Sequence, residues 1–395
     1  MFNKIMIKLL AFTAPLFFIR IAESSLYLYD MLLLVSFLIG IRKLRFEFRL
    51  YLPALFYIIF CIISIFYGVI VHDFDIEQSL QSLVRYSFML LVIPLVSGVF
   101  FSNESQLDEY FKYLAFGLAA SVIINFVGVY LAWMPFWGTG RAHGFYGNAN
   151  WFGYMMVFSM YSFYYLSAKN SKYLVICLPL FVLSMYNLIL SGSNSSLIAL
   201  VILVIWIFFS DINFTKIIVF SLLIVIFPMF ILILSNFEYF SDFRGATRFL
   251  NFFTVLFGND SDGVSSLGSI TERLELIDAS ITAYIDYSGF FIGYGLSQTP
   301  NLFNSLGFHE ASVHVNLISI LIEVGFLGLL MYAAWLIFGY LNFLRGGLSD
   351  FNNNYIKGNV ILFVFVGMFT PHVYLGFFFA FIVPMWGRYK NRMGL

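Results

Sequence analysis

"HVNLISILIEVGFLGLLMYAAWLIFGY", residues 314–340, opens on a histidine and is then almost wholly apolar, with one acid, Glu323, inside it. About 20 apolar residues suffice to cross a bilayer as a helix, so the run near 313–343 reads as a membrane span. Glu323 then lies roughly two and a half turns beyond His314. An ionisable group at that depth pairs within a bundle or serves function. His314 stands at the mouth of the same helix, and a histidine there is an ordinary interfacial residue unless other chemistry converges on it.

The rest of the chain fits a bilayer as solvent. Of its 395 residues, 61% are hydrophobic and only 11% charged, more apolar surface than a soluble protein of this size can hide. The net charge is zero, so nothing in the balance points to nucleic acid. Cys61 and Cys177 both sit in apolar runs and read as small core residues, not as a disulfide or metal framework. The first apolar run, from about Ile5 to Ile19, has no small-residue cleavage site and reads as a span, not a cleavable leader. Apolar runs lie near 5–20, 26–41, 51–71, 79–101, 111–134, 149–167, 173–190, 195–210, 215–235, 313–343, 356–371 and 372–387. The expected fold is an all-α polytopic membrane protein of about twelve transmembrane helices, a single integral membrane domain over 1–395. One large, partly helical loop, about 236–312, separates spans nine and ten.

Lysine and arginine orient this plan, because they concentrate on the cytoplasmic side. With the N-terminus inside, fifteen of the 21 basic residues are cytoplasmic, among them every lysine. Five remain outside, Arg20, Arg141, Arg244, Arg248 and Arg273, while Arg85 falls within a helix. The long loop is then external and both termini are cytoplasmic. Every external basic residue is an arginine, whose planar fork grips phosphate at two points where lysine offers one. That bias either reflects few basic residues or marks an external site for a phosphorylated ligand.

Two external stretches carry the polar chemistry. In "GTGRAHGFYGNANWFGY" (138–154), glycines and asparagines surround Arg141 and His143. Such a loop either merely connects spans or forms an anion nest at a helix start. In the long loop, "DFRGATRFLNFFTVLF" (242–257) suits an interfacial helix, with Arg248 on it. Asp260 and Asp262 form a DxD in a Gly/Ser-rich turn and read as solvated turn formers, so no metal is expected. "SITERLELIDASITAYI" (269–285) reads as a helix capped by Ser269 and Glu272, with Leu274, Ile277, Ile281 and Ile285 as one apolar stripe. Arg273 stands in its first turn, where the helix dipole favours acids, so it is either merely exposed or held for an anion.

"RAHGFYGNAN" (141–150), "LSGSNSS" (190–196), "RLELIDASITAYIDYSGFFIGYG" (273–295) and "HVNLISILIEVGFLG" (314–328) occur in the order seen in the O-antigen ligase and polymerase family, and the chain resembles that family over about 135–330. The resemblance implies a glycosyltransferase of the bacterial inner membrane, acting at the periplasmic face without cofactor or metal. Its donor and acceptor would be glycans on undecaprenyl diphosphate, its neighbours membrane lipids, a chain-length regulator and a flippase. Carried onto this chain, Arg141 and Arg273 would hold the diphosphate and His314 would be the base on the acceptor hydroxyl, with His309 and His143 as competitors. Asn148 and Glu323 would support the site. The family's "GNPN" is here Gly147-Asn148-Ala149-Asn150, and its "SR" is Ser193-Asn194 without the basic residue, a gap that Arg85 or Arg248 would fill. A polymerase is the first expectation, on the aromatic-rich composition that such proteins share. A ligase and, from another class, a flippase are the alternatives. A flippase usually buries several charges and repeats its halves, whereas in this chain only Arg85 and Glu323 lie clearly inside the membrane, and no internal repeat is seen.

Overall fold

The structure, a computed structural model, describes residues 2–16, 28–40, 48–74, 76–131, 137–138, 141–210, 275, 277–282, 284–285, 291–305, 316–368 and 379–387. The main helices are α1 (Phe2–Thr13), α2 (Leu28–Gly40), α3 (Phe48–His72) and α4 (Ile76–Phe100), then α5 (Glu104–Tyr130), α6 (Ala149–Lys169), α7 (Leu174–Ser191) and α8 (Asn194–Phe209). After them come α9 (Thr299–Ser305), α10 (Asn316–Leu344) and α11 (Asp350–Gly367). A two-residue hairpin, β1 (Trp137–Gly138) with β2 (Arg141–Ala142), pairs antiparallel, with Gly138 opposite Arg141.

The chain is an all-α membrane protein in the described residues, but the span plan is coarser than the sequence suggested. Among the described residues, five helices are long and apolar enough to cross a membrane: Tyr51–His72, Ile76–Phe100, Glu104–Tyr130, Ser171–Ser191 and Leu317–Leu344. Two shorter apolar helices, Leu28–Gly40 and Asn194–Phe209, accompany them. The first run ends as helix at Thr13 instead of near 20, and the expected span 215–235 lies outside the described residues. The last run, 372–387, also departs from expectation. Its described part, 379–387, is turn followed by a 3₁₀ helix, Val383–Trp386. Side chains satisfy that irregular backbone: Ser97 Oγ donates to the Val383 carbonyl at 2.6 Å, and Asn342 Nδ2 to those of Met385 and Gly387 at 3.0 and 3.1 Å. Non-helical backbone at such depth persists only where protein supplies its hydrogen bonds.

The chain divides into two compact units, one of Met1–Leu32, Ser105–Leu267 and Asp350–Leu362, the other of Leu33–Glu104, Gly268–Ser349 and Phe363–Leu395. In the first, α6 is buried along its length from Phe152 to Ser167, which explains why its Tyr- and Ser-rich sequence need not suit lipid. Its hydroxyls find partners, Ser162 on Tyr355 at 2.8 Å and Tyr165 on Asn352 at 2.6 Å.

In the second unit, two helices depart from α geometry for readable reasons. Pro94 has no N–H to give the Leu90 carbonyl one turn earlier, and the helix passes through a π turn at Phe88–Val92. Trp335 Nε1 of α10 takes that carbonyl instead, at 3.2 Å. α10 breaks at Gly325, where φ is 78° and ψ −179°. Its interrupted carbonyls are taken by another segment: Tyr294 N–H donates to Ile322 at 2.6 Å and Gly295 N–H to Glu323 at 3.2 Å. Residues 293–299 are therefore buried against α10, within the stretch that the sequence reads as one large, partly helical loop.

Candidate functional site

In the first unit the polar stretches that stood out in the sequence meet. Asn148 is extended and caps α6, its Oδ1 accepting from Asn150 N at 2.8 Å and Trp151 N at 3.3 Å. Gly147 before it sits at φ 69°, a left-handed turn that glycine adopts without strain. α7 ends at Ser191 with Gly192 left-handed behind it, leaving terminal carbonyls without helical partners. Arg141 takes two of them, Nε donating to Ser191 O at 2.8 Å and Nη2 to Gly192 O at 3.1 Å. Nη2 also donates to Asn150 Oδ1 at 3.2 Å. A cation at a helix C-terminus is favoured by the dipole, so part of this arginine's role is structural.

Immediately after the turn, Ser193 caps α8 by accepting from Ser196 N. Ser196 Oγ reaches back to Asn150 O at 3.3 Å. Gly153 is required here because a Cβ would stand 2.6 Å from Ser196 Oγ. The starts of α6 and α8 thus converge beside the Arg141 guanidinium, a concentration of positive potential suited to an anion. His143 Nδ1 lies 2.8 Å from Gly144 O. A carbonyl only accepts, so Nδ1 carries the proton and Nε2 is the basic nitrogen. The loop is anchored by Tyr146, whose hydroxyl donates to Pro15 O at 3.1 Å and contacts Ser121 Oγ at 2.8 Å. Burial pushes that phenol well above the usual tyrosine range, so it stays a donor.

The second unit holds Glu323 and Arg85. Glu323 is 3% exposed, and its Oε1 accepts from Thr299 Oγ1 at 2.7 Å. Its carbonyl also accepts from Ser64 Oγ of α3. The segment that brings Thr299 there is stitched to α4, with Ser79 Oγ donating to Leu296 O at 2.7 Å and Gln298 Nε2 to Ser79 Oγ at 2.8 Å. Glycines at the crossing permit the approach. A Cβ on Gly325 would lie 2.4 Å from Phe291 O, and one on Gly293 2.5 Å from Gly325 N.

His314, His309, Arg273, Arg248 and the Asp260–Asp262 pair lie outside the described residues. Arg141 and Asn148 occupy one loop of the first unit, Glu323 and Arg85 the second unit. The apolar stripe read on 274–285 is rotated: Ser280 and Tyr284 are buried, while Ile281 and Ile285 are exposed. In a bilayer such apolar side chains can face outward without cost, so the stripe does not identify the packed face. Sequence reading also passed over His72 at the end of α3. Its ring stacks 4.4 Å from Tyr294 and 5.4 Å from Phe74, and its Nε2 is buried without a hydrogen bond. Among the described residues no cluster of acids, histidines or cysteines is fit to hold a metal.

Comparison with known proteins bears on one stretch. No curated protein matches the chain. Residues 179–333, from within α7 into α10, match the family model described as O-antigen ligase. The matched stretch includes the Ser191–Gly192 turn, Glu323 and Gly325.

Proposed function

We propose that the protein is a glycosyltransferase of the inner membrane that polymerises oligosaccharide repeats carried on undecaprenyl diphosphate, with its site at the periplasmic face. The observation that carries the reading is the convergence of the α6 and α8 N-termini beside Arg141, within the glycine-rich loop. The match of residues 179–333 to the O-antigen ligase family model supports it.

In the proposed reaction the acceptor sugar hydroxyl gives its proton to His314, and its oxygen bonds to C1 of the donor sugar. The C1–O bond to the diphosphate breaks, and the lipid diphosphate leaves with the electron pair. Arg141 and Arg273 stabilise the charge that develops on it, the role fixed guanidiniums serve best. Neutral imidazole titrates near pH 6.5 and suits the proton transfer. The site needs no metal, because arginine supplies the positive charge.

One feature favours a flippase instead: broken spanning helices are common in transporters, where freed carbonyls line a substrate cavity. Here the carbonyls of Ile322 and Glu323 are occupied by Tyr294 and Gly295 N–H groups, so the break serves packing. The glycans of cells lacking the protein test the choice. Lipid A-core capped with a single repeat is expected for a polymerase. Uncapped core with polymer retained on lipid would mean a ligase, and repeats trapped on the cytoplasmic side a flippase. Unchanged glycans would overturn the reading.

A further inference from the structure

The turn between α3 and α4 encloses a titratable ring that the proposed chemistry does not use. His72 closes α3, and Asp73 turns the chain back with a left-handed φ of 54°. The imidazole is held between two rings, 5.4 Å from Phe74 at 26° and 4.4 Å from Tyr294 at 32°, with Tyr67 edge-on at 5.7 Å. Its Nε2 is buried and has no hydrogen-bond partner. Among the described residues the titratable side chains that face it are the phenols of Tyr67 and Tyr294. Asp73 and Glu77, on the turn and at the start of α4, are exposed and make no ion pair with His72. Glu323 of α10 is turned to Thr299.

Tyr294 belongs to the segment that closes the break in α10. Its own N–H donates to Ile322 O at 2.6 Å, and that of Gly295 to Glu323 O at 3.2 Å. α3 comes against this segment at Gly68, where a Cβ would stand 3.0 Å from Tyr294 O. His72 therefore rests on the residue that makes the first of the two bonds. We propose that His72 is a proton-sensitive latch: neutral, it stacks on Tyr294 and holds the 293–299 segment in the α10 break, and protonated it releases that segment. The neutral ring can carry its proton on Nδ1 and leave Nε2 bare, whereas the imidazolium has an N–H on both nitrogens. Nε2–H then needs an acceptor that the packed position does not supply. Stacking on two aromatic faces favours the cation, but a buried charged donor without an acceptor loses more. Proton uptake is thus tied to release. The packed form prevails above about pH 6.5, the ordinary histidine value, and is lost progressively below it. Release removes these partners from the Ile322 and Glu323 carbonyls and takes Thr299 from the Glu323 carboxylate. The latch is independent of the transferase reading, because it needs no substrate.

Hydrogen exchange of the full-length protein in nanodiscs reads the latch as protection of the 294 and 295 amides, corrected for the intrinsic effect of pH. Between about pH 7.5 and 5.5 that protection is expected to fall about tenfold, as one linked proton with an ordinary histidine pKa requires. Amides of α6, which contains no histidine, should keep theirs. His72→Phe keeps an aromatic ring but takes no proton, so its protection should be the same at both pH values. Should that variant fail to fold, His72→Gln, which does not titrate either, is held to the same flat profile. Constant protection in the wild type overturns the proposal. So does a rise on acidification, which would mean that stacking of the cation wins. An equal fall in the α6 amides overturns it as general unfolding, and an equal fall in His72→Phe or His72→Gln assigns the proton to another group.

Discussion

Thr299 Oγ1 donates to Glu323 Oε1 at 2.7 Å, two residues before the break of α10 at Gly325. A carboxylate buried in a helical bundle is costly unless hydrogen-bonded. The hydroxyl therefore joins the 293–299 segment to the spanning helix by a bond that also helps to satisfy Glu323. Thr299→Val keeps the shape and removes the donor, leaving a buried acceptor that costs about 1–3 kcal/mol. Thermal unfolding of the purified protein should show that loss, and Thr299→Ser should restore most of it. A valine variant as stable as the wild type would mean that Glu323 relies on other partners.

Gly325 and Gly147 separate contact from conformation. Both have positive φ, but a Cβ on Gly147 meets nothing within 4 Å, whereas one on Gly325 meets the Phe291 carbonyl at 2.4 Å. Gly147→Ala should cost only the left-handed penalty, about 1–2 kcal/mol. Gly325→Ala should cost more, because backbone must move as well. Comparable stability losses in the two variants would contradict the close crossing of α10 with residues 291–293.

Much of the helical plan was legible because long apolar runs have few other fates in a bilayer. The exceptions have physical causes. Glycine is common inside spanning helices, so "EVGFLG" carried no sign that α10 breaks at Gly325. The π turn in α4 depends on Trp335, far away in the chain, accepting the role that Pro94's missing N–H vacates. Arg141 was legible as an anion-site candidate, but not as the cap of α7, because the Ser191 carbonyl is 50 residues distant in sequence.

That capping role sharpens the expectation for Arg141→Lys. Lysine keeps the charge at the α7 terminus but cannot reach two carbonyls and Asn150 with one rigid fork. Glycan transfer should fall by at least tenfold, and unfolding should show a loss of about 1 kcal/mol, the worth of a typical hydrogen bond. Full activity with reduced stability would make Arg141 purely structural.

The proposed sidedness is open to labelling. A single cysteine at Ser265, in a background lacking Cys61 and Cys177, should react with an impermeant maleimide in intact spheroplasts. A cysteine at Ser349 should not. The reverse pattern would put the glycine-rich loop on the wrong side for a lipid-linked periplasmic donor.

The central claim is glycosyl transfer with His314 as base, and its most direct measurement is transfer from an undecaprenyl-diphosphate-linked repeat by the reconstituted protein and its histidine variants. His314→Ala should lower kcat by about 10²–10⁴-fold, the usual contribution of a positioned base, with donor KM unchanged. The wild-type rate should fall as pH drops below about 6.5, since a protonated ring cannot accept the hydroxyl proton. His143→Ala and His309→Ala should transfer at near wild-type rates. Near-normal transfer by His314→Ala alongside an inactive His143→Ala would contradict the account and place the base at His143, in the first unit.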